Sequence, residues 1–255
     1  MGIIVRSLFV VVPCYNEAAA IRTTLTALAT QADPAFTLLV VDNASTDGTI
    51  AKIEAFREAH PRQDIRIVRE PQKGTGAAAD TGFRAAIAAG ASHIARTDAD
   101  SLPRRDWIGA IKRGFEGGAL FIAGPVRART DDLRLNPLQR LGVLLLTALM
   151  RFAAPRLPKN RGSEFLCPYI LASGGNLAIE ADLYLACGGF PRIALEVDNE
   201  DRILQNRARA LTPAIRFLPE MVVVQSARRI KQYGLRNTLF WYWNRRYKPV
   251  LVDVR

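Results

Sequence analysis

The stretch His93-Ile-Ala-Arg-Thr-Asp-Ala-Asp-Ser-Leu-Pro103 runs from a short apolar segment directly into two carboxylates, Asp98 and Asp100. Residues i and i+2 of an extended chain project to the same side, so both carboxylates can face one point. Two anions at that distance repel each other unless they are fully solvated or bind a cation. Their oxygens suit Mg²⁺ or Mn²⁺, which proteins often share with substrate phosphates. The stretch predicts a buried strand that ends at a metal site, although an acidic turn before the next helix also fits this motif taken alone.

Similar apolar runs recur before this stretch and alternate with segments of helical periodicity. The periodicity predicts strands at residues 8–12, 37–41, 65–68, 93–97 and 120–124, and helices at residues 17–30, 49–59, 76–89 and 107–115. Strands that alternate with helices form crossover units and a parallel sheet. The sequence therefore predicts an α/β protein with a Rossmann-like, mostly parallel central sheet flanked by helices.

The chain has 255 residues, of which 49% are hydrophobic and 23% are charged. This is the balance of an ordinary globular protein. Because no internal repeat or low-complexity linker interrupts the chain, we expect a single domain over residues 1–255. It divides into two lobes, at approximately residues 1–125 and 126–255.

The net charge of +11 favours an anionic partner, such as a phosphorylated molecule or an acidic lipid surface. Part of this excess is ordinary solvated surface, and the absence of a recognisable nucleic-acid motif argues against a nucleic-acid partner. The three cysteines show no disulfide or zinc spacing, which favours a reducing compartment. We expect a cytoplasmic protein, since no signal peptide is evident and Arg140 and Arg151 interrupt the most apolar later window.

Polar clusters follow three of the predicted strands, at residues 13–17, 42–47 and 98–100. Each cluster alone is compatible with a helix cap or a turn. In an open parallel sheet, however, ligands bind at the carboxyl ends of the strands. The three clusters together therefore predict one binding site along this edge.

Seven short motifs occur in the order seen in family 2 glycosyltransferases, which the chain resembles over roughly residues 7–206. They are Val11-Val-Pro-Cys-Tyr-Asn-Glu17, Val40-Val-Asp-Asn-Ala-Ser-Thr-Asp-Gly-Thr49, Lys73-Gly74 with Gly82, Thr97-Asp-Ala-Asp100, Gly174-Gly-Asn-Leu-Ala178, Gly188-Gly-Phe190 and Glu200-Asp201-x-x-Leu204. The resemblance implies the GT-A fold, a nucleotide-diphosphate-sugar donor, a divalent metal and inversion at the sugar carbon. It also implies that the first lobe binds the nucleotide sugar and the second lobe the acceptor.

The same resemblance implies roles for individual residues of the donor site. Asp98 is expected near the donor ribose or the metal, and Asp100 is expected to bind the Mn²⁺ or Mg²⁺ that bridges to the diphosphate. The remaining donor-binding residues implied in this way are Pro13, Tyr15, Glu17, Asp42, Lys73 and Asn176.

Inverting transfer also requires a general base on the acceptor side of the sugar. Glu200 and Asp201 resemble the acidic pair of the family, in which Asp201 matches the base. The run of acids Glu196, Asp198, Glu200 and Asp201 also fits the first turn of a helix, where negative charge complements the helix dipole. Both interpretations are compatible.

Two positions depart from the family pattern. Gln225 stands where many relatives have a metal-binding histidine, which leaves its part in metal binding open, and Asp80 stands where asparagine is frequent.

The Q-x-x-R-W motif of processive members is absent from the sequence, so we expect non-processive transfer. His60 and His93 lie outside every motif and are expected to be structural.

Arginines accompany large apolar residues at positions 138–151 and 228–248. Such segments can pack on the sheet, lie on an anionic membrane or line an apolar cleft. We expect a hydrophobic or lipid-like acceptor alcohol and peripheral contact with the inner face of the membrane. The alternatives are a sugar-phosphate nucleotidyltransferase and a non-catalytic nucleotide-binding protein at the membrane surface.

Overall fold

A computed structural model of the chain describes residues 7–129, 142, 149, 152–193 and 199–226. The segments predicted to contact the membrane or acceptor, residues 138–151 and 228–248, lie almost entirely outside the described residues, as do Glu196 and Asp198. Within the described residues, no helix combines the length and apolar character that a membrane crossing requires.

The first half of the chain consists of the predicted alternation of strands and helices. The elements are β1 (Leu8–Cys14), α1 (Ile21–Ala29), β2 (Thr37–Asp42), α2 (Thr49–Ala59), β3 (Ile65–Arg69), α3 (Thr75–Ala88) and β4 (His93–Thr97). The strand and helix predictions for this half are confirmed, apart from small shifts at the ends. The largest shift is at α1, because the carbonyl of Glu17 accepts hydrogen bonds from the N–H groups of Ala20 and Ile21 and closes a turn before the helix.

The second half has shorter elements, several of which periodicity did not predict. They are β5 (Ser101–Pro103), α4 (Trp107–Glu116), β6 (Phe121–Ala123), β7 (Val126–Ala128), two 3₁₀ helices (Ala154–Arg156 and Pro158–Asn160), β8 (Asn176–Glu180), α5 (Ala181–Ala186), α6 (Glu200–Leu211), β9 (Ile215–Phe217) and β10 (Val223–Gln225). Three-residue strands are too short to show a period of two, so the sequence pattern does not reveal them.

The larger sheet has seven strands in the order β3-β2-β1-β4-β8-β6-β9. All neighbouring pairs are parallel except those that involve β8, which is antiparallel to β4 and β6. Strands from both predicted lobes therefore share one sheet. A small sheet, β5-β10-β7, lies beyond the end of β4 and brings Gln225 opposite Ser101.

Both faces of the larger sheet are covered, as the nearly continuous apolar runs of its parallel strands require. Val10 and Val12 pack with α1, α2 and α4 on one face, while Phe9 and Val11 pack with α3, α5 and α6 on the other. The core holds the central strands rigidly, so the residues that follow β1, β2 and β4 are fixed side by side.

Candidate active site

The carboxyl ends of β2, β1 and β4 lie next to each other in the sheet, as the three polar clusters predicted. The antiparallel strand β8 begins beside them, because Asn176 is paired with Thr97. The site is therefore bordered by the loops after three parallel strands and by the backbone that enters β8.

The loops at residues 13–17 and 42–47, here called the donor loops, are joined by reciprocal hydrogen bonds. Asn16 donates its backbone N–H to Ser45 Oγ at 3.1 Å, and its Oδ1 accepts the N–H of Thr46 at 2.8 Å. Asp47 Oδ2 accepts the N–H of Ala18 at 3.1 Å. The φ angles of Asn16 and Ala44 are positive, at 52° and 61°, and these bonds hold that uncommon conformation.

The residues expected to contact the nucleoside gather around the donor loops. Pro13, Glu17 and Asp42 are buried, and Tyr15 is half-buried. Burial raises the pKa of the Cys14 thiol, and the nearby carboxylates of Asp42, Glu17 and Asp47 raise it further. A pronounced concentration of negative charge therefore lies at the end of β1.

Lys73 lies at the exposed rim of this group. Its Nζ is 3.0 Å from Tyr15 Oη and 4.8 Å from the centre of the Tyr15 ring. Asn43 supports the loop that carries Lys73, a role that the sequence analysis did not predict. Its side chain donates to the carbonyls of Glu70 and Gln72 at 2.8 and 2.7 Å and accepts the N–H of Gly74 at 2.9 Å, so it shapes the loop that carries Lys73.

The two carboxylates that end β4 converge on one side-chain amide. Gln225 Nε2 donates to Asp98 Oδ2 at 3.0 Å and to Asp100 Oδ1 at 3.3 Å. Thr24 Oγ1 donates to the carbonyl of Ala99 at 2.7 Å and fixes the backbone between the acids. One oxygen from each carboxylate thus faces a common point, as the i, i+2 spacing predicted.

This convergence fits a divalent cation, because two hard oxygens face a position where a positively polarised group already lies. Among the described residues, no group of three or more His, Cys, Asp or Glu side chains could hold a metal ion. An ion bound by Asp98 and Asp100 would need further ligands from a substrate and water.

The acidic pair Glu200–Asp201 begins helix α6, so the interpretation as a helix start is confirmed. Asp201 is half-buried, and its Oδ2 accepts the N–H of Gly174 at 2.9 Å. Glu200 is buried; this burial raises the pKa of its carboxyl, against the lowering effect of Arg96 and with a further increase from Asp201 and Asp98. Asp201 contacts the backbone that enters β8, whereas Glu200 is turned toward Arg96.

Arg96 is a second residue that the sequence analysis missed. It lies on β4, two residues before Asp98, and its side chain is only 2% exposed. One guanidinium nitrogen is 3.2 Å from Asp98 Oδ1 and another is 3.5 Å from Glu200 Oε1. An arginine inside a strand that the sequence predicts to be buried was the available signal, because a buried cation requires partners. Arg96, Asp98, Glu200 and Asp201 are here called the buried charge cluster.

Asn176 does not occupy the position expected from the resemblance. It is fully buried, it donates to the carbonyls of Pro125 and Met221 at 3.0 and 2.7 Å, and its Oδ1 accepts the indole N–H of Trp107 at 2.8 Å. Its hydrogen-bonding groups are already used within the protein. The structure gives Asn176 a packing role, and we leave it out of the proposed donor site.

His93 and Asp80 also belong to the packing of the sheet. Burial lowers the pKa of His93 to about 4, so its ring is neutral at pH 7. The centre of this ring lies 4.2 Å from the centre of the Phe115 ring. Asp80 is buried on α3 and accepts a hydrogen bond from Tyr184 Oη at 2.8 Å. It also pairs with Arg84 at 3.0 Å.

Comparison with known proteins places the chain in a family. The family model described as glycosyl transferase family 2 matches residues 9–171, which is more than half of the chain. The chain therefore belongs to glycosyl transferase family 2. This membership does not support the nucleotidyltransferase alternative.

Individual relatives agree with this assignment. The chain is 35% identical over 101 residues to the glycosyltransferase AglE of Haloferax volcanii, a match that covers 39% of this chain and 32% of AglE. The mannosyltransferase PcManGT from Pyrobaculum calidifontis, solved with GDP-Man and Mn²⁺, has 25% identity and a TM-score of 0.64 over 95% of this chain and 65% of its own. TarS of Staphylococcus aureus, solved with UDP-GlcNAc, has 16% identity and a TM-score of 0.62 over 87% of this chain and 59% of its own.

These structural neighbours have the GT-A fold, which confirms the predicted fold. The chain spans about a third of the length of AglE and just under two thirds of the length of PcManGT.

Proposed function

We propose that the protein transfers a glycosyl group from a nucleotide-diphosphate-sugar donor to a hydroxyl acceptor, with the help of Mn²⁺ or Mg²⁺ and with inversion at the sugar carbon. The observation that carries this proposal is the convergence of Asp98 and Asp100 on one point beside the donor loops. Family membership supports the reaction class, and the ligands of PcManGT and TarS support the donor class.

The donor loops would receive the nucleoside. Asp42 and Glu17 offer carboxylates to the base and ribose from buried positions, while Pro13 and Tyr15 line the path between them. Lys73 stands at the rim, where its charge would attract the diphosphate.

Asp100, with Asp98 beside it, would hold the divalent ion. Such an ion neutralises the charge that grows on the leaving nucleoside diphosphate as the glycosidic bond breaks. Asp98 is also held by Arg96 and Gln225, so its carboxylate is oriented before the donor arrives. Pre-oriented groups lower the cost of reaching a reactive geometry.

Asp201 would act as the general base that removes the proton of the acceptor hydroxyl. Its Oδ2 is oriented by the N–H of Gly174 at 2.9 Å, beside the strand start that borders the site. Glu200, one residue earlier, is turned into the protein and pairs with Arg96. We therefore propose that Asp201 touches the acceptor and that Glu200 holds the start of α6.

The acceptor would be a hydrophobic or lipid-like alcohol, and transfer would be non-processive. Phe152, Leu157 and Leu166 are 62%, 44% and 56% exposed, in a stretch that also carries Arg156 and Lys159. Exposed apolar side chains among cations suit peripheral contact with an anionic membrane at its inner face.

The test compares Asp100→Ala, Asp201→Asn and Asp182→Asn in two assays. GDP-Man and UDP-GlcNAc serve as donors, with short-chain and long-chain alkyl alcohols as acceptors, and nucleoside diphosphate release is measured. Binding of GDP and UDP is measured by thermal shift with and without Mn²⁺. Asp182 is the matched control because it is an exposed aspartate in the first turn of α5.

We expect Asp100→Ala to lose the Mn²⁺-dependent part of nucleotide binding together with transfer. Asp201→Asn should keep nucleotide binding and lower kcat by at least about a hundredfold, the size typical of a lost general base. Asp182→Asn should resemble the wild type. Normal turnover in either site variant would refute the role given to that residue, and nucleotide binding without any transfer by the wild type would favour the non-catalytic alternative.

A further inference from the structure

Arg96 makes contacts that reach beyond the strand on which it lies. Its guanidinium is buried between two carboxylates that are far apart in sequence, Asp98 on the donor side and Glu200 at the start of α6. It also lies 5.5 Å from the ring centre of Phe190. A buried cation is costly unless it is paired, so these contacts determine where both carboxylates lie.

Two glycines make room for this arrangement. A Cβ at position 174 would stand 2.9 Å from a guanidinium nitrogen of Arg96, and a Cβ at position 175 would stand 2.6 Å from Asp98 Oδ2. The N–H of Gly174 in turn donates to Asp201 Oδ2 at 2.9 Å. The backbone that enters β8 therefore lies directly against Arg96 and Asp98 and touches Asp201 from the same segment.

We infer that Arg96 is a positioning residue for sugar transfer. It holds the carboxylate of Asp98 and the proposed base Asp201 at a fixed position relative to each other. It acts on Asp98 directly and on Asp201 through Glu200 and the start of α6. This inference rests on the proposed function and deepens it. The Arg96 side chain is only 2% exposed, so it would act through these carboxylates and not by contact with donor or acceptor.

The charges in the cluster are consistent with this role. Burial acts to lower the pKa of Arg96, but the carboxylates of Asp98, Glu200 and Asp201 outweigh it and raise the pKa. Asp98 has a second holder, because Gln225 Nε2 donates to its other oxygen at 3.0 Å. Loss of Arg96 should consequently disturb the start of α6 more than it disturbs the donor side.

The experiment separates an effect on the position of the carboxylates from an effect on stability. It does so by replacing Arg96 and its buried partner Glu200 in the same variant. Arg96→Met alone leaves Glu200 buried without its cation and should lower Tm. Arg96→Met combined with Glu200→Gln replaces the ion pair with neutral groups and should restore most of that Tm, because removing both partners costs far less than removing one. Glu200→Gln alone is the reference, since its amide oxygen can still accept from Arg96.

For all variants, kcat and donor KM are measured with GDP-Man and UDP-GlcNAc, and GDP and UDP affinities are measured with Mn²⁺. We expect the double variant to have a kcat at least about tenfold below that of Glu200→Gln, while its nucleotide affinity stays within about threefold. Arg96→Lys, which keeps the charge, should recover part of the kcat that Arg96→Met loses.

A folded double variant whose kcat equals that of Glu200→Gln would show that Arg96 is only structural and would overturn the inference. A loss of kcat matched by an equal loss of nucleotide affinity would also overturn it, because Arg96 would then act on donor binding alone. In both cases the wild type remains active and the proposed function stands. A wild type that releases no nucleoside diphosphate would overturn the proposed function and this inference with it.

Discussion

The donor loops and the buried charge cluster border the same edge of one sheet but are assembled from different ranges of the chain. In the donor loops, hydrogen-bonded partners are about 30 residues apart, as in Asn16 with Ser45 and Thr46, because they follow neighbouring strands of consecutive βα units. In the buried charge cluster, Arg96 and Glu200 are 104 residues apart. The donor loops are therefore built by local topology, whereas the buried charge cluster depends on the complete sheet.

This difference predicts that a substitution in the backbone that enters β8 lowers activity more than one beside the donor loops. Gly175→Ala should cause the largest loss of activity. A Cβ there would meet Asp98 Oδ2 at 2.6 Å, whereas a Cβ at Gly48, just after the donor loops, would meet nothing within 4 Å. We expect Gly175→Ala to lower kcat at least about a hundredfold, because a displacement of about 1 Å at a reacting site can cost that much.

Gly48→Ala is the matched control, and its kcat should stay within about threefold of the wild type. Steady-state kinetics on both variants tests the comparison directly. Equal kcat values for the two alanine variants would contradict the predicted difference between the entry to β8 and the donor loops.

Asn176→Ala should have an effect of intermediate size, and it should lower the stability of the fold and leave nucleotide binding unchanged. The substitution removes the amide that satisfies the indole N–H of Trp107 and two buried carbonyls. We expect a loss of about 2 kcal/mol in the free energy of unfolding, or roughly 4–8 °C in Tm. GDP and UDP affinity at a temperature well below Tm should not change, and a selective loss of nucleotide binding would return Asn176 to the donor site.

Asp47→Ala should have the smallest effect, because it breaks one local link between the donor loops. Asp47 accepts hydrogen bonds from the N–H of Ala18 and from the N–H and hydroxyl of Thr49 at the start of α2. We expect a loss of about 1 kcal/mol in the free energy of unfolding, the usual net contribution of an intramolecular hydrogen bond.

The pH dependence of this effect has a definite sign. Burial acts to raise the pKa of Asp47, but the hydrogen bonds from Thr49 and Ala18 outweigh it and lower the pKa in the folded protein. The stabilisation is therefore present above the unfolded value of about 3.9 and is lost as the pH falls through the lower folded value. In thermal melts, the Tm difference between wild type and Asp47→Ala should shrink below about pH 4, and a difference that grows there would contradict this account.

The sequence predicted most of the first half of the structure, because β1 and β2 are apolar runs and each strand from β1 to β3 is followed by a helix of ordinary length. It did not predict β5, β7, β9 and β10, which have three residues each, or β8, which follows a glycine pair that resembles a turn. The same division holds for the site. Asp98 and Asp100 converge as their spacing predicted. The partners of Arg96 and Asn176 include Glu200 and Trp107, which begin two helices, and periodicity does not say where those helices pack on the sheet.

Local spacing by itself determined the βα order, the strand ends that carry the polar clusters, and the pairing of two carboxylates after β4, because these depend on periods of two and 3.6 residues within short segments. Only the tertiary structure decided that Arg96 joins Asp98 to Glu200, that Gln225 bridges the two acids and that Asn176 is a packing residue. Apart from the contact of Arg96 with Asp98, those contacts connect residues 45 to 127 positions apart, and the folded sheet brings them within hydrogen-bonding distance.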